Sequence, residues 1–394
     1  RQHETNQDKL MDSFIQLIAQ AIDDKSHYTA SHCERVPELA FMLAEQAEGS
    51  LAPAFRDFRF HSEEEWREFK VGAWLHDCGK ITTPEHIVDK GSKLETIYNR
   101  IHEVRTRFEV LWRDAEITYW QNMTQSPDKQ AQHQAELDST QQQLKDDFAF
   151  VATMNVGGEA LSEDKKARLD EIAQTTWIRH FSDRLGLSPA DEERLTTPEN
   201  NLPCEETLLS DKPEHIIPRD DGAGFEPHLG IKMAIPEHLY NQGELYNLKI
   251  ERGTLTTEDR FKINEHIIST IRMLDALPFP EELSRVPRYA STHHEKMDGT
   301  GYPRKLNKDQ LSIPERIMVL ADIFEALTAA DRPYKKAKTV SEAIDIMAKM
   351  VAEEHIDADV FDLFLTTETY KVYADKFLAP EQIDEVDVAR YLKK

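Results

Sequence analysis

Apolar residues along this chain recur at three- and four-residue intervals and seldom alternate, so the pattern predicts a succession of amphipathic helices. A first helix is predicted over about residues 8–24. Its apolar face, Leu10, Phe14, Leu17, Ile18 and Ala21, is expected to pack on a core. A second follows His32 with Val36, Leu39, Ala40, Leu43 and Ala47 in register, and a Pro- and aromatic-rich loop between Ala52 and Phe60 ends it. Ser62 and Glu65 have the spacing of a capping box. The helix they open carries Trp66, Phe69 and Ala73 and runs straight into His76 and Asp77, which places a polar pair on or beside a buried face.

Thr256 and Asp259 offer the cap of a helix through Leu274 that includes His266. From Pro314 to about Ala330 the chain reads Ile317, Met318, Val319, Leu320, Ala321, Asp322, Ile323, Phe324, apolar almost all round, which predicts a buried helix. Thr339 and Glu342 cap another, and residues 358–392 supply two more amphipathic segments. Between about 95 and 250 the character changes. A charged helical stretch to Trp120 is followed by a Gln-rich segment around 130–145, a helix around 163–184 and a Pro- and Asp-rich loop region to about 230. We read an all-α bundle, residues 1–94 and 252–394, interrupted by a mainly helical inserted subdomain, residues 95–251.

With 39% apolar residues in 394, the chain can fill a core unaided. Cys33, Cys78 and Cys204 are too few and too scattered for a disulfide framework or a thiolate zinc site, which suits a reducing compartment. No run approaches the roughly 20 apolar residues of a membrane helix. The expected location is the cytoplasm, with no membrane segment in this chain. Because the chain opens on Arg1 and a polar run, an upstream sensor or receiver portion is expected. The net charge of −25 argues against extended nucleic-acid binding, which needs a basic face. A phosphate substrate must then be met by locally placed cations or metal ions.

Three groups of residues carry chemistry. His76-Asp77-Cys78-Gly79-Lys80 sets an imidazole beside a carboxylate at the end of a buried helix, and both can reach one metal. An isolated pair of this kind is equally readable as a satisfied core histidine. In His293-His294-Glu295-Lys296-Met297-Asp298-Gly299-Thr300-Gly301-Tyr302-Pro303, two imidazoles precede a Gly-rich turn whose exit Pro303 fixes. Asp322 lies in the helix expected to be buried, where a carboxylate costs several kcal/mol unless a cation holds it. With His32 and His266 these make a mixed imidazole and carboxylate set suited to two divalent ions such as iron or manganese. Two such ions clamp a phosphate for in-line cleavage.

The strings HDCGK, TLTTEDRFKINEH, HHEKMDGTGYP, IPERIMVLADIFEALT and DRPYKKAK resemble the successive signatures of the HD-GYP phosphodiesterases, over about residues 10–94 and 252–365. The resemblance implies metal ligands at His76, Asp77, His266, His293, His294 and Asp322, with His32 on the family's early histidine signature. It also implies Lys80 at a phosphate oxygen, Lys296, Arg332, Tyr334 and Lys335 on the substrate, and Gly301, Tyr302 and Pro303 shaping a loop that meets diguanylate cyclase (GGDEF) domains. Where some members bring a glutamate for a third ion this chain has Tyr28, so two ions are expected. Asn264 stands where a lysine is frequent. His102 also follows a Lys-Leu helix start, but Leu255 precedes His266 at the family's interval and Leu94 precedes His102 at a shorter one; His266 is chosen, and His102 is expected in solvent.

The activity implied is hydrolysis of a cyclic dinucleotide, first of all cyclic di-GMP, to linear pGpG and GMP. Rival readings at this level are an inactive cyclic-dinucleotide receptor, a hydrolase of 3'3'-cyclic GMP-AMP, an HD hydrolase of a mononucleotide or alarmone, and an interaction protein whose insertion docks a partner. The insertion suits a dimer arm, a lid or a partner platform, and a homodimer is compatible with it.

Overall fold

In the computed structural model, residues 2–25, 32–158, 160–219, 224–329 and 337–392 are described. Two compact units divide the chain: Arg1–Glu85, Gly224–Ile235 and Ile263–Lys394 form one, and His86–Ala223 with Pro236–Lys262 the other. The composition-based boundaries at 94/95 and 251/252 thus compare with 85/86 and 262/263 in the fold, and a short piece, Gly224–Ile235, returns from the middle of the chain to the first unit.

The first unit is a helical bundle. Its core forms where His32–Glu48 packs along Ile313–Thr328, with Val36, Leu39, Ala40 and Leu43 meeting Ile317, Leu320, Ala321 and Phe324, all fully buried. Val340–Ala352, Ala358–Thr366 and Thr369–Phe377 close the outer side through Ile344, Phe364 and Tyr373. Local signals start these helices where the spacing predicts. The Ser62 hydroxyl accepts the Glu65 amide at 3.3 Å, and Thr339 pairs reciprocally with Glu342. Thr256 and Asp259 likewise cap each other, in the second unit.

Three expectations are corrected. The helix expected from Thr256 through Leu274 is two helices, Thr257–Asn264 and His266–Asp275, broken at Glu265; the imidazole of His266 takes the Ile263 carbonyl at 2.6 Å. The helix expected over 163–184 ends at Ala173, and Thr176–Arg179 instead pairs antiparallel with Cys204–Thr207. On the first helix, Gln2–Lys25, the face named as the core face is the solvent face: Ile15, Ala19 and Ile22 are buried, while Leu10, Phe14, Leu17 and Ile18 are exposed.

The second unit holds a long antiparallel helix pair, Ile101–Gln125 and Gln130–Val156, with Glu163–Ala173. Its own core gathers Leu94, Val104, Val151, Leu169, Leu208 and Leu248. A second strand pair, Ile216–Pro218 with His238–Asn241, completes it. The unit is thus mainly helical with two small antiparallel pairs. His102 is exposed at the start of its helix, as expected.

Candidate metal centre

Five segments of the first unit deliver one polar cluster into a bundle that is otherwise apolar. His32 heads its helix. His76 and Asp77 occupy the turn after Glu63–Trp74, and His266 opens the helix after the break. His293 and His294 follow Val286–Ala290, and Asp322 sits midway along Ile313–Thr328. The sequence separates these residues widely and the fold brings all of them together.

Asp77, 1% exposed, is the hub. Its Oδ2 lies 3.0 Å from His32 Nε2 and 3.3 Å from His76 Nε2, while its Oδ1 lies 3.3 Å from His266 Nε2 and 3.7 Å from His293 Nε2. His294 Nε2 is 3.3 Å from His266 Nε2, and Asp322 Oδ1 is 3.4 Å from His32 Nε2. Two groups of ligand-type atoms result, Asp77 with His266, His293 and His294, and Asp77 with His32 and His76, each within 4.8 Å.

These residues fit divalent ions on three grounds. Ligands at right angles on an ion with bonds of ~2.1 Å stand ~3 Å apart, close to the separations seen here. Both Asp77 oxygens, Nε2 of His32 and His76, and both nitrogens of His293 are buried without a well-formed hydrogen bond, a cost the fold bears only where something else satisfies them. The ring orientations are also fixed from behind: Nδ1 of His76 donates to the Ala73 carbonyl and Nδ1 of His266 to that of Ile263, both at 2.6 Å, and Nδ1 of His32 donates to Glu325 at 2.5 Å. Each leaves Nε2 aimed at the cluster.

The electrostatics agree. Burial opposes the Asp77 charge, but Lys80, 2.5 Å away, and the surrounding histidines outweigh it and hold the carboxyl well below the ordinary range. Burial also disfavours charge on Lys80, yet Asp77 and Asp322 lift it to about 12. Asp322 is opposed by burial and drawn down to about 2 by His32 and His294. Burial, reinforced by neighbouring imidazoles, drives His293 and His294 well below the usual histidine range, which keeps them neutral as ligands must be. His32 is the exception: against burial, Glu325, Asp322 and Asp77 hold it well above that range. Lys80, Asp322 and His294 are the members only partly buried, so they line the open side.

Two supporting groups, Glu325 and Glu295, were not singled out in the sequence. Glu325 sits one helical turn from Asp322, holds His32, and its other oxygen takes Arg35 Nε at 3.2 Å; an acid in the same buried stripe as Asp322 was the signal available. Glu295, buried and raised by that burial, accepts the amides of Arg304 at 2.7 Å and Leu306 at 2.9 Å, closing the Gly-rich loop. Asn264 accepts the Tyr302 hydroxyl at 3.1 Å, and the Tyr302 ring stacks on His294 at 4.7 Å. Tyr302 therefore braces a ligand, while Gly301 lets the loop touch the backbone of Glu295 and Lys296, where a Cβ would come within 2.6 Å. The peptide between Tyr302 and Pro303 is cis. Lys296 is half-buried, with Asp298 and His355 near it. Tyr28, Arg332, Tyr334 and Lys335 lie outside the described residues.

Loss of the Glu325 carboxylate leaves the His32 ring free to turn. Glu325→Ala is expected to weaken metal retention by about 10–100-fold, measured by chelator competition, with Glu325→Gln closer to wild type because an acceptor remains. Equal retention in Glu325→Ala and wild type would refute this positioning role.

A family model described as HD domain matches residues 203–360, a stretch that contains His266, His293, His294 and Asp322. The chain is similar to 3'3'-cGAMP-specific phosphodiesterase 3 of Vibrio cholerae, 53% identical over 96 residues (24% of this chain, 20% of the relative). It is 33% identical over 153 residues to a cyclic di-GMP phosphodiesterase of Pseudomonas aeruginosa (39% and 33%). A third relative, a cyclic di-GMP phosphodiesterase of Vibrio cholerae, is 27% identical over 250 residues (62% and 43%). The chain thus spans under half the length of these relatives. Over residues 203–360 the chain thus carries an HD-domain region, and motif order, these relatives and the convergence of the motif residues on Asp77 support its likeness to the HD-GYP proteins.

Proposed function

We propose that this protein is a phosphodiesterase that opens a cyclic dinucleotide, cyclic di-GMP first, to linear pGpG and onward to GMP, with two divalent ions, iron or manganese, held at the cluster. The observation that carries this reading is Asp77 shared between two groups of ligand atoms. Ions held there would supply Lewis-acid activation of water and charge neutralisation on a phosphate oxygen. His266, His293 and His294 with one Asp77 oxygen would hold one ion, and His32, His76 and Asp322 with the other oxygen the second. Lys80 keeps its proton, stands at the open side and donates to a phosphoryl oxygen as negative charge grows there. The acidic surface fits a small anionic substrate only if the neutralising charge is local.

Metal analysis of anaerobically purified protein, combined with chromatography of reaction products, tests the reading. Lys80→Ala is expected to keep its metal and lose about 10²–10³-fold in kcat; unchanged turnover would remove Lys80 from the chemistry.

A second substrate, 3'3'-cyclic GMP-AMP, is favoured by three relatives named for it, at 53%, 42% and 30% identity. Parallel kcat/KM values for the two rings decide between them. An inactive receptor is disfavoured by the completeness of the ligand set, since a binding role does not require every ligand. The loop of Gly301, Tyr302 and Pro303 is the surface we propose for a diguanylate cyclase domain. Among the described residues no helix is long and apolar enough to cross a membrane; we propose a cytoplasmic site of action.

A further inference from the structure

The first helix has apolar residues on two faces, and the bundle uses one. Ile15, Ala19 and Ile22 are buried beside Val71, Leu75 and Cys78. On the other face Leu10, Phe14 and Leu17 are 59%, 55% and 59% exposed, with Met11 and Ile18 beside them. A helix that is apolar on opposite sides is one covered on both. Leu10, Phe14, Leu17 and Ala21 alternate intervals of four and three, which is the a/d seam of a coiled coil; Met11 and Ile18, each next to a d position, widen it. Ile15, Ala19 and Ile22 then fall at b and f, on the far side of the helix. Covering the seam leaves the inner contacts untouched.

We propose that this face is where two copies of the chain meet, first helix against first helix. Charge selects a second copy as the occupant. Two chains of net charge −25 repel over most of their surface, so they can meet only where it is neutral. Between Leu10 and Ala21 the sole ionisable side chain is Asp12, and it pairs with Arg67 at 3.2 Å. The remaining flanking residues, Ser13, Gln16 and Gln20, carry no charge with which to recognise an acidic or basic partner. Area agrees: the exposed apolar residues amount to roughly 500 Å² per copy, and a symmetric pair buries on the order of 1,000 Å², where specific interfaces begin. Nothing in this proposal depends on the catalytic reading.

Sedimentation across a dilution series tests it. Wild type is expected as a two-chain species, and the Phe14→Glu/Leu17→Glu double variant as a single chain with unchanged helical content and melting. In a Cys204→Ser background, Leu17→Cys on the seam is expected to form roughly tenfold more interchain disulfide than Gln16→Cys beside it. If the double variant does not fold, the cross-linking comparison decides. A single-chain wild type at every concentration, a pair that survives the double substitution, or equal cross-linking at Leu17→Cys and Gln16→Cys would overturn the proposal.

Discussion

Replacing Asp77 by alanine is expected to abolish metal retention and to lower turnover by more than about 10³-fold, the largest functional effect of any single change in this protein. Among the described residues no other belongs to both ligand groups. Its two oxygens point to different histidines, Oδ2 to His32 and His76 and Oδ1 to His266 and His293, so its removal disables both halves together. His293 and His294 remain as neutral imidazoles, and of the carboxylates proposed as ligands Asp322 alone is left to offset a dication. A second readout separates metal loss from misfolding. Ligand binding to the native state raises Tm by mass action, so wild type should melt at a higher temperature with iron or manganese than with chelator. Asp77→Ala should melt at one temperature in both conditions while remaining cooperatively folded. A variant that keeps the metal-dependent rise in Tm, or that turns over at the wild-type rate, would sink the proposed centre.

The site was more legible in the sequence than the fold around it, for a physical reason. An Asp in a run such as Leu320-Ala321-Asp322-Ile323-Phe324 contradicts its surroundings, and such a contradiction stands out against a regular apolar pattern. The same holds for His76-Asp77 at the end of the Trp66, Phe69, Ala73 stripe. Glu325 is not legible in the same way because Asp322 already accounts for the polar content of its helix, although it lies on the same face one turn on and holds His32. The first helix failed differently. Periodicity reports that a face is apolar but not what covers it, and with apolar residues on two faces the larger side chains drew the core assignment, while the smaller set of Ile15, Ala19 and Ile22 does the packing. The break at Glu265 was hidden because Ile263 and Ile267 keep helical spacing across it. The strand pairs of the second unit are only three or four residues long, too short for alternation to show.

Gly79→Ala is expected to produce the largest loss of stability for the smallest change of mass. The turn Cys78–Thr82 lies directly against His266–Asp275, and the Gly79 amide donates to the Thr270 hydroxyl at 2.9 Å. A Cβ at Gly79 would lie 1.9 Å from the His266 carbonyl oxygen and 2.5 Å from the Thr270 amide nitrogen. Both obstacles are helix backbone, so no side chain can rotate away, and the turn must withdraw from the helix. Overpacking of this kind costs about 3 kcal/mol or more. Asp77 immediately precedes the turn and the helix carries His266, now 3.3 Å apart, so the displacement also opens the ligand set and metal retention should fall with stability. Gly49→Ala is the control: its Cβ would meet nothing nearer than 3.7 Å, and its effect should stay within about 0.5 kcal/mol. Chemical denaturation of the chelator-treated proteins gives the stability difference and metal analysis the occupancy. If Gly79→Ala unfolds at the wild-type midpoint and keeps its metal, the close approach of turn to helix does not position the centre.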